Sequence, residues 1–341
     1  MTTVSDLSTP ALVLDREAFD GNLQRMSTAL PGDSLRPHVK AHKCTEIARA
    51  QEAVGHRKFC AATPKEIIGL ARAGVGSDLL LANETIETRR LADLAALGEI
   101  VTVAVDSEAT IAAAAAAGIT SVLIDVNVGL PRCGCDPGDA GRLADRARSS
   151  GLDVRGVMGY EGHVVGLVDV AERAAKCERS MELLLAAHGQ VGGDIISAGG
   201  TGTFAINTWA NEIQAGSYAL MDTAYGPLEL GFKPALRLVA TVISVSPKFA
   251  VADCGLKSLG MDHGNPMIEG GEVLFCSDEH TTFRPNTPAV GTPPLTVGDR
   301  VLVQPAHIDP TIAYHDRIFV ANGPGLGAQV ADEWQVDLRG W

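Results

Sequence analysis

Short apolar, β-branched runs alternate with longer stretches of helical period over the first two-thirds of the chain. That alternation predicts parallel strands joined by helical crossovers. The strand-like runs are Ser34–Lys40, Lys58–Thr63, Asp78–Asn83, Glu99–Asp106, Ser121–Gly129, Val154–His163, Asp194–Gly202 and Glu212–Leu220. Helical period fills the gaps at Thr45–Val54, Pro64–Ala73, Thr85–Ala96, Ser107–Ala117, Pro137–Ser150 and Val168–His188, with a shorter piece at Phe204–Trp209. Thr63-Pro64 with Glu66 is a helix start, and Gly74, Gly118 and Gly189 stand where helices should stop. Eight strands with crossovers predict an α/β fold, a (β/α)8 TIM-like barrel over residues 16–233. An open doubly wound sheet would carry a Gly-rich loop after its first strand, whereas the first strand here ends in Lys40.

Beyond about Pro234 the helical period disappears. Leu236–Val245, Lys248–Asp253, Glu272–Cys276, Arg300–Gln304 and Ile318–Asn322 read as strands between Gly/Pro/Asp turns. Residues 234–341 therefore form a C-terminal all-β domain, joined by residues 1–15 with their strand-like Ala11–Asp15. No internal repeat or low-complexity linker interrupts the chain.

Composition agrees. A length of 341 residues suits a barrel plus a second domain. A formal charge of −13 repels phosphate backbones, which excludes a nucleic-acid partner. No apolar run spans a bilayer, Ala112–Ala117 ends in Gly118 as a buried helix would, and Met1–Leu7 lacks a signal-peptide pattern. The seven cysteines are odd in number and lack CxxC spacing, against a disulfide scaffold or a closed zinc site. The expectation is a reduced, cytoplasmic enzyme acting on a small molecule, with no membrane partner.

Barrels keep their chemistry at the C-terminal ends of their strands, and reactive residues cluster there. The first strand ends Arg36-Pro37-His38-Val39-Lys40-Ala41-His42-Lys43. A lysine buried in a barrel mouth becomes a neutral amine more readily and condenses with an aldehyde, although strand-end lysines are usually solvated. The seventh strand runs into Gly199-Gly200-Thr201-Gly202-Thr203, and the eighth ends near Gly216-Ser217-Tyr218. Glycine backbone N–H groups and neighbouring hydroxyls suit a phosphate; two such loops at adjacent strand ends favour that over ordinary turns. Arg132, after the fifth strand, can donate to a phenolate oxygen or a substrate carboxylate. Tyr160 can stack on a flat cofactor, and His163 can act as a base or stay structural. In the β domain, His307 and Asp309 are two residues apart; on a strand they would share a face and hold Mn²⁺, Mg²⁺ or Zn²⁺. Asp253, Asp278, Glu279 and His280 lie at other turns of that domain.

These residues together resemble the fold-type III pyridoxal 5'-phosphate (PLP) enzymes, in particular the D-threonine aldolase and D-serine dehydratase group. The resemblance runs almost end to end. It rests on Thr9–Asp15, Arg36–Cys44, Leu81–Glu84, Asn127–Gly129 with Arg132–Gly134, Tyr160–His163, Glu212–Tyr218 and His307–Asp309. It implies a PLP-binding barrel of the alanine racemase N-terminal kind, a β domain and a homodimer. It implies a Schiff base on Lys40 rather than Lys43; the expected second catalytic residue, read from its place at the end of the sixth strand, is His163 as the base that takes the β-hydroxyl proton. It also implies phosphate on the Gly200–Gly202 and Gly216–Tyr218 loops, and a metal on His307 and Asp309. Gln214 falls where the racemases carry an arginine against the pyridine nitrogen, which argues against racemization. Dehydratases of the group tend to carry His-x-Cys with zinc, and aldolases His-x-Asp with Mn²⁺ or Mg²⁺. The pair here favours retro-aldol cleavage of a D-β-hydroxy amino acid, D-threonine or 3-hydroxy-D-aspartate, to glycine and an aldehyde. A metal-dependent dehydratase of D-serine or D-3-hydroxyaspartate and a non-catalytic PLP-binding protein are the competing readings.

Overall fold

The computed structural model describes residues 2–287 and 293–341. The chain divides into two compact units, one of Met26–Lys40, Ile47–Gly216 and Leu338–Trp341, the other of Met1–Arg25, Ala41–Glu46 and Ser217–Asp337.

The first unit is the barrel. Counting strands along the chain from β1 (Ala11–Asp15) in the other unit, its parallel strands are β2 (Lys58–Ala61), β3 (Asp78–Leu81), β4 (Val101–Val105), β5 (Ser121–Asp125), β6 (Asp153–Gly159), β7 (Ile195–Ala198) and β8 (Glu212–Ile213), paired in that order. Helix α1 (Arg16–Ala29), most of it in the other unit, and α2 (Thr45–Ala53) precede the crossovers α3 (Pro64–Ala73), α4 (Thr88–Ala95), α5 (Glu108–Ala117), α6 (Ala140–Ser149) and α7 (Val170–Val191). Alternation along the strands sorts side chains between two faces. Cys60, Leu80, Ala104, Leu123, Met158 and Ile195 pack together on one. Phe59, Leu79, Val103, Val122 and Val157 join the cluster beneath the helices. The start of α3 is a capping box: the Thr63 hydroxyl accepts from Glu66 N–H at 3.3 Å, and the Glu66 carboxylate accepts from Thr63 N–H at 3.1 Å.

The stretch expected as the first strand, Ser34–Lys40, is not a regular strand. Leu35 bridges Ile213 and His38 bridges Cys60, both in parallel, and Val39–Ala41 closes the segment as a single 3-10 turn. Arg36 and His38 donate their N–H groups to Ile213 and Ala215 (2.9 and 3.1 Å), and Pro37 accepts from Cys60 N–H (3.0 Å). Pro37 has no N–H to return to β2, so the ladder cannot run on. The (β/α)8 arrangement thus has seven regular strands and one irregular stave linking β8 to β2.

Other expectations also shift. The eighth strand is two residues long and gives way to a turn at Ser217–Ala219, and Phe204–Trp209 is not helical. Helix α7 runs through Gly189 and stops at Gly192 (φ 69°). A glycine in a helix costs only about 1 kcal/mol, which the buried face of α7 outweighs.

The second unit holds the remaining strands: β9 (Leu236–Val245), β10 (Ala250–Ala252), β11 (Met267–Ile268), β12 (Gly271–Cys276), β13 (Thr281–Pro285), β14 (Arg300–Gln304), β15 (Arg317–Ala321) and β16 (Val330–Gln335). They form one sheet in the order β12-β13-β10-β9-β1-β15-β16, with β14 paired to β9 and β11. β1 lies in this sheet, antiparallel to β9 and parallel to β15. A short helix, α8 (Ile308–Ala313), interrupts the β texture.

Candidate active site

Within the barrel, the C-terminal ends of the strands gather the residues singled out from sequence. Lys40 ends the irregular stave in its 3-10 turn, half-buried, its N–H 3.4 Å from Nδ1 of His38. The loops after β5, β6, β7 and β8 carry Arg132, Tyr160 with His163, Gly200–Gly202 and Gln214–Gly216.

The loop after β7 is buried from Gly199 through Phe204. Gly199 and Gly200 spend their N–H groups on Glu161 Oε2 (3.0 Å) and Thr203 Oγ1 (3.2 Å). Gly202 lies so close to the Val165 carbonyl that a Cβ there would stand 1.8 Å from its oxygen, so only glycine fits. The Gly202 N–H has no partner among the described residues. A buried N–H without a partner is a ready donor to an anion, so this loop fits the phosphate of PLP. Gln214 donates from Nε2 to Ser197 Oγ at 2.8 Å, and Gly216 is buried. Ser217 and Tyr218 belong to the other unit, where Tyr218 is buried with its ring 5.8 Å from that of Phe232.

Arg132, Tyr160 and Gly200 come together. The Arg132 guanidinium lies 5.4 Å from the Tyr160 ring centroid, and a Cβ on Gly200 would stand 3.5 Å from Tyr160 Cε2. His163 has a different setting. Its exposed ring covers Gly129, where a Cβ would come within 2.9 Å of Cε1, and it lines a hollow with Lys176, Arg179 and Ser180 of α7. Gly129 has φ +122°, which only glycine adopts readily.

A carboxyl pair missed in the sequence lies beside Arg132. Asp125 ends β5, buried, and burial first, then the charge and hydrogen bonding of Glu84, hold its carboxyl well above the usual carboxylate range, while Arg132 opposes the shift. Burial first, and then the neighbouring Glu84, pushes the Cys133 thiol up to about 11. Glu84 follows β3 and Asp125 ends β5, with β4 between them in the sheet, a relation visible only once strand order is known.

The residues expected to hold a metal lie in the other unit, and their expected geometry is corrected. His307 and Asp309 are not on a strand: β14 ends at Gln304, and His307 is the N-cap of α8, with Asp309 in its first turn. Pro310 needs no N–H partner so early in a helix, which lets α8 start here. The helical turn still brings His307 Nε2 within 3.8 Å of Asp309 Oδ1. On the other side of the ring, Nδ1 lies 2.7 Å from Asp262 Oδ2, and His263 stacks on His307 at 4.0 Å. Asp262, His263 and His307 offer ligand atoms within 4.8 Å of one another. One imidazole nitrogen and hard carboxylate oxygens fit a divalent ion. Asp262 and His263 were not singled out in the sequence; their only signal is an acid–histidine pair between Gly260 and Gly264. Asp253 instead accepts from Thr241 N–H and the Thr9 hydroxyl (both 2.6 Å), and Asp278 and Glu279 pair with Lys257 (3.4 and 2.6 Å).

With this geometry in place, likenesses to known proteins are informative. Residues 14–224 match the family model for the alanine racemase N-terminal domain, and residues 235–321 match a putative serine dehydratase domain. A D-threonine aldolase of Arthrobacter sp is 34% identical over 362 residues, covering 98% of this chain and 93% of that protein. A 3-hydroxy-D-aspartate aldolase of Paracoccus denitrificans (strain Pd 1222) is 30% identical over 372 residues, with the same coverage. The crystal structure of D-threonine aldolase from Filomicrobium marinum matches with a TM-score of 0.90 at 34% identity, covering 98% of this chain and 96% of that one. D-threo-3-hydroxyaspartate dehydratase from Delftia sp. HT23 matches with a TM-score of 0.85 at 25% identity over the whole of both chains.

Proposed function

From the premise that the chain belongs to the family of the alanine racemase N-terminal domain, we propose that it is a PLP- and divalent-metal-dependent lyase. It cleaves a D-β-hydroxy amino acid, D-threonine or 3-hydroxy-D-aspartate, to glycine and an aldehyde. The observation that carries this reading is the likeness to D-threonine aldolase, 34% identity over 98% of the chain. The acid of the His307/Asp309 pair supports it, since a hard oxygen ligand suits Mn²⁺ or Mg²⁺.

In this reading Lys40 holds the coenzyme covalently, and the Gly200–Gly202 and Gly216–Tyr218 loops hold its phosphate. Tyr160 would stack on its ring, Gln214 would stand in place of the racemases' arginine near its pyridine nitrogen, and Arg132 would donate to its phenolate oxygen or to a substrate carboxylate. When bound, PLP supplies an electron sink for the pair released from the Cα–Cβ bond. His307 and Asp309 hold the divalent ion, which supplies Lewis acidity toward the substrate β-hydroxyl. His163 takes the β-hydroxyl proton onto a ring nitrogen; its exposure and its place after β6 support that role. Residues 16–233 form the coenzyme domain, residues 1–15 and 234–341 the metal-bearing domain, and the enzyme works as a cytoplasmic homodimer.

A dehydratase is the second reading, supported by 29% identity to the D-threo-3-hydroxyaspartate dehydratase of Delftia sp. (strain HT23) over 77% of the chain. The test is product analysis with D-threonine, D-serine and 3-hydroxy-D-aspartate, with chelator and with Mn²⁺ restored. Glycine plus aldehyde, lost with chelator and regained with Mn²⁺, supports the aldolase. Ammonia plus a keto acid overturns it in favour of the dehydratase, and no turnover at all leaves a protein that only carries the coenzyme.

A further inference from the structure

Glu161 is the one acid in the Tyr160–His163 segment, and its side chain is fully buried. It faces the loop after β7, and every group it meets there is a neutral donor. The Gly199 N–H donates to Oε2 at 3.0 Å; the Thr203 hydroxyl and the Asn207 amide donate to Oε1 at 2.8 and 3.3 Å. The Cys177 thiol stands 3.8 Å from Oε1, and burial with the charge of Glu161 pushes it up to about 12, so it remains a protonated donor. Thr203 passes the ordering on: while donating to Glu161, its Oγ1 accepts from Gly200 N–H at 3.2 Å. Two successive amides of the glycine loop are therefore fixed by one carboxylate, one directly and one through a hydroxyl.

We propose that Glu161 is a positioning residue that holds the Gly199–Thr203 loop in its phosphate-accepting conformation. The proposal rests on the PLP reading above. The N–H groups of Gly199 and Gly200 are taken by Glu161 and Thr203, and among the described residues the N–H of Gly202 is left to donate. Glycine amides have wide conformational freedom, so without this anchor the loop spreads over many states and loses the preorganisation that makes a phosphate cradle tight. The chemistry demands a carboxylate. A glutamine would turn an N–H₂ donor toward Gly199 or toward Thr203 and Asn207, setting donor against donor in a buried site. An aspartate, one methylene shorter, cannot reach both sides at once.

The test titrates apoprotein of the full chain with PLP and, separately, with pyridoxal, which has the same aldehyde but no phosphate, and follows the absorbance of the lysine-linked chromophore. Glu161→Gln is compared with the milder Thr203→Ala, which removes the relay alone and keeps the test open if the first variant fails to fold. The expected result is a PLP Kd raised by about tenfold or more in Glu161→Gln, a smaller rise in Thr203→Ala, and a pyridoxal Kd changed by less than about twofold. The proposal is overturned if the PLP Kd stays within about twofold in both variants, or if pyridoxal weakens by the same factor as PLP, the mark of a general structural role. If the unaltered chain takes up neither aldehyde, the coenzyme reading itself fails, an outcome distinct from a loss confined to the variants.

Discussion

The Nδ1 atom of His307 lies 2.7 Å from Oδ2 of Asp262, an acid 45 residues earlier in the chain. An Nδ1–H that donates to a carboxylate fixes the tautomer, leaving Nε2, on the side of Asp309, as the basic ligand nitrogen. Asp262→Ala is expected to weaken Mn²⁺ binding by about 10- to 100-fold while His307 and Asp309 remain in place. Calorimetric titration of the metal-free protein checks this. An unchanged affinity would mean that Asp262 is a bystander of the ring.

The Glu84–Asp125 pair makes a pH-dependent prediction. A carboxyl raised in the folded protein contributes stability below its unfolded pKa of about 3.9 and loses that contribution as pH climbs through the folded value. An asparagine in place of Asp125 would resemble the protonated acid and could donate to Glu84 at any pH. Asp125→Asn is therefore expected to match the parent near pH ~4 and to be the more stable of the two near pH ~8. Urea unfolding at the two pH values reads the difference. A variant less stable at the higher pH would show that the charged form of Asp125 is the supported one.

Arg36 is the largest of the fully buried side chains. It donates to Glu212 at 2.7 and 3.0 Å and to Asp78 at 3.1 and 3.1 Å, and Arg155 reaches the same Asp78 at 2.7 and 3.0 Å. The two arginines hold the Asp78 carboxyl well below its usual range despite burial. This lattice ties the irregular stave to β3 and β8 where ordinary ladder bonds are few. Arg36→Met leaves Glu212 buried without its guanidinium, so a loss of about 3–5 kcal/mol is expected on urea unfolding. A loss below about 1 kcal/mol would mean that the lattice is not what holds the stave.

Much of this was legible in the chain. The period-2 and period-3.6 runs locate every regular strand and crossover helix of the barrel, because each buries one face against a shared core. Lys40, Arg132, Tyr160 and the glycine loop could be singled out because reactive and glycine residues fell at the ends of those runs. What stayed hidden depends on contacts between distant segments. Pro37 breaks the ladder of the stave, yet the run around it reads as a strand. His307-x-Asp309 resembles a strand face, but the chain turns into α8 there. Asp262 meets His307, and Glu84 meets Asp125, only through the pairing of strands and turns far apart in sequence. Glu161 lay inside a segment already noted, but its partners, Gly199, Thr203 and Asn207, come from beyond α7.

The assignment of the coenzyme to Lys40 is tested most directly by loading the purified protein with PLP, reducing it with borohydride and mapping the labelled peptide. The account predicts a single pyridoxyl label on the peptide containing residue 40, at Lys40 itself and not at Lys43. A label on any other lysine, or no label at all, would contradict it.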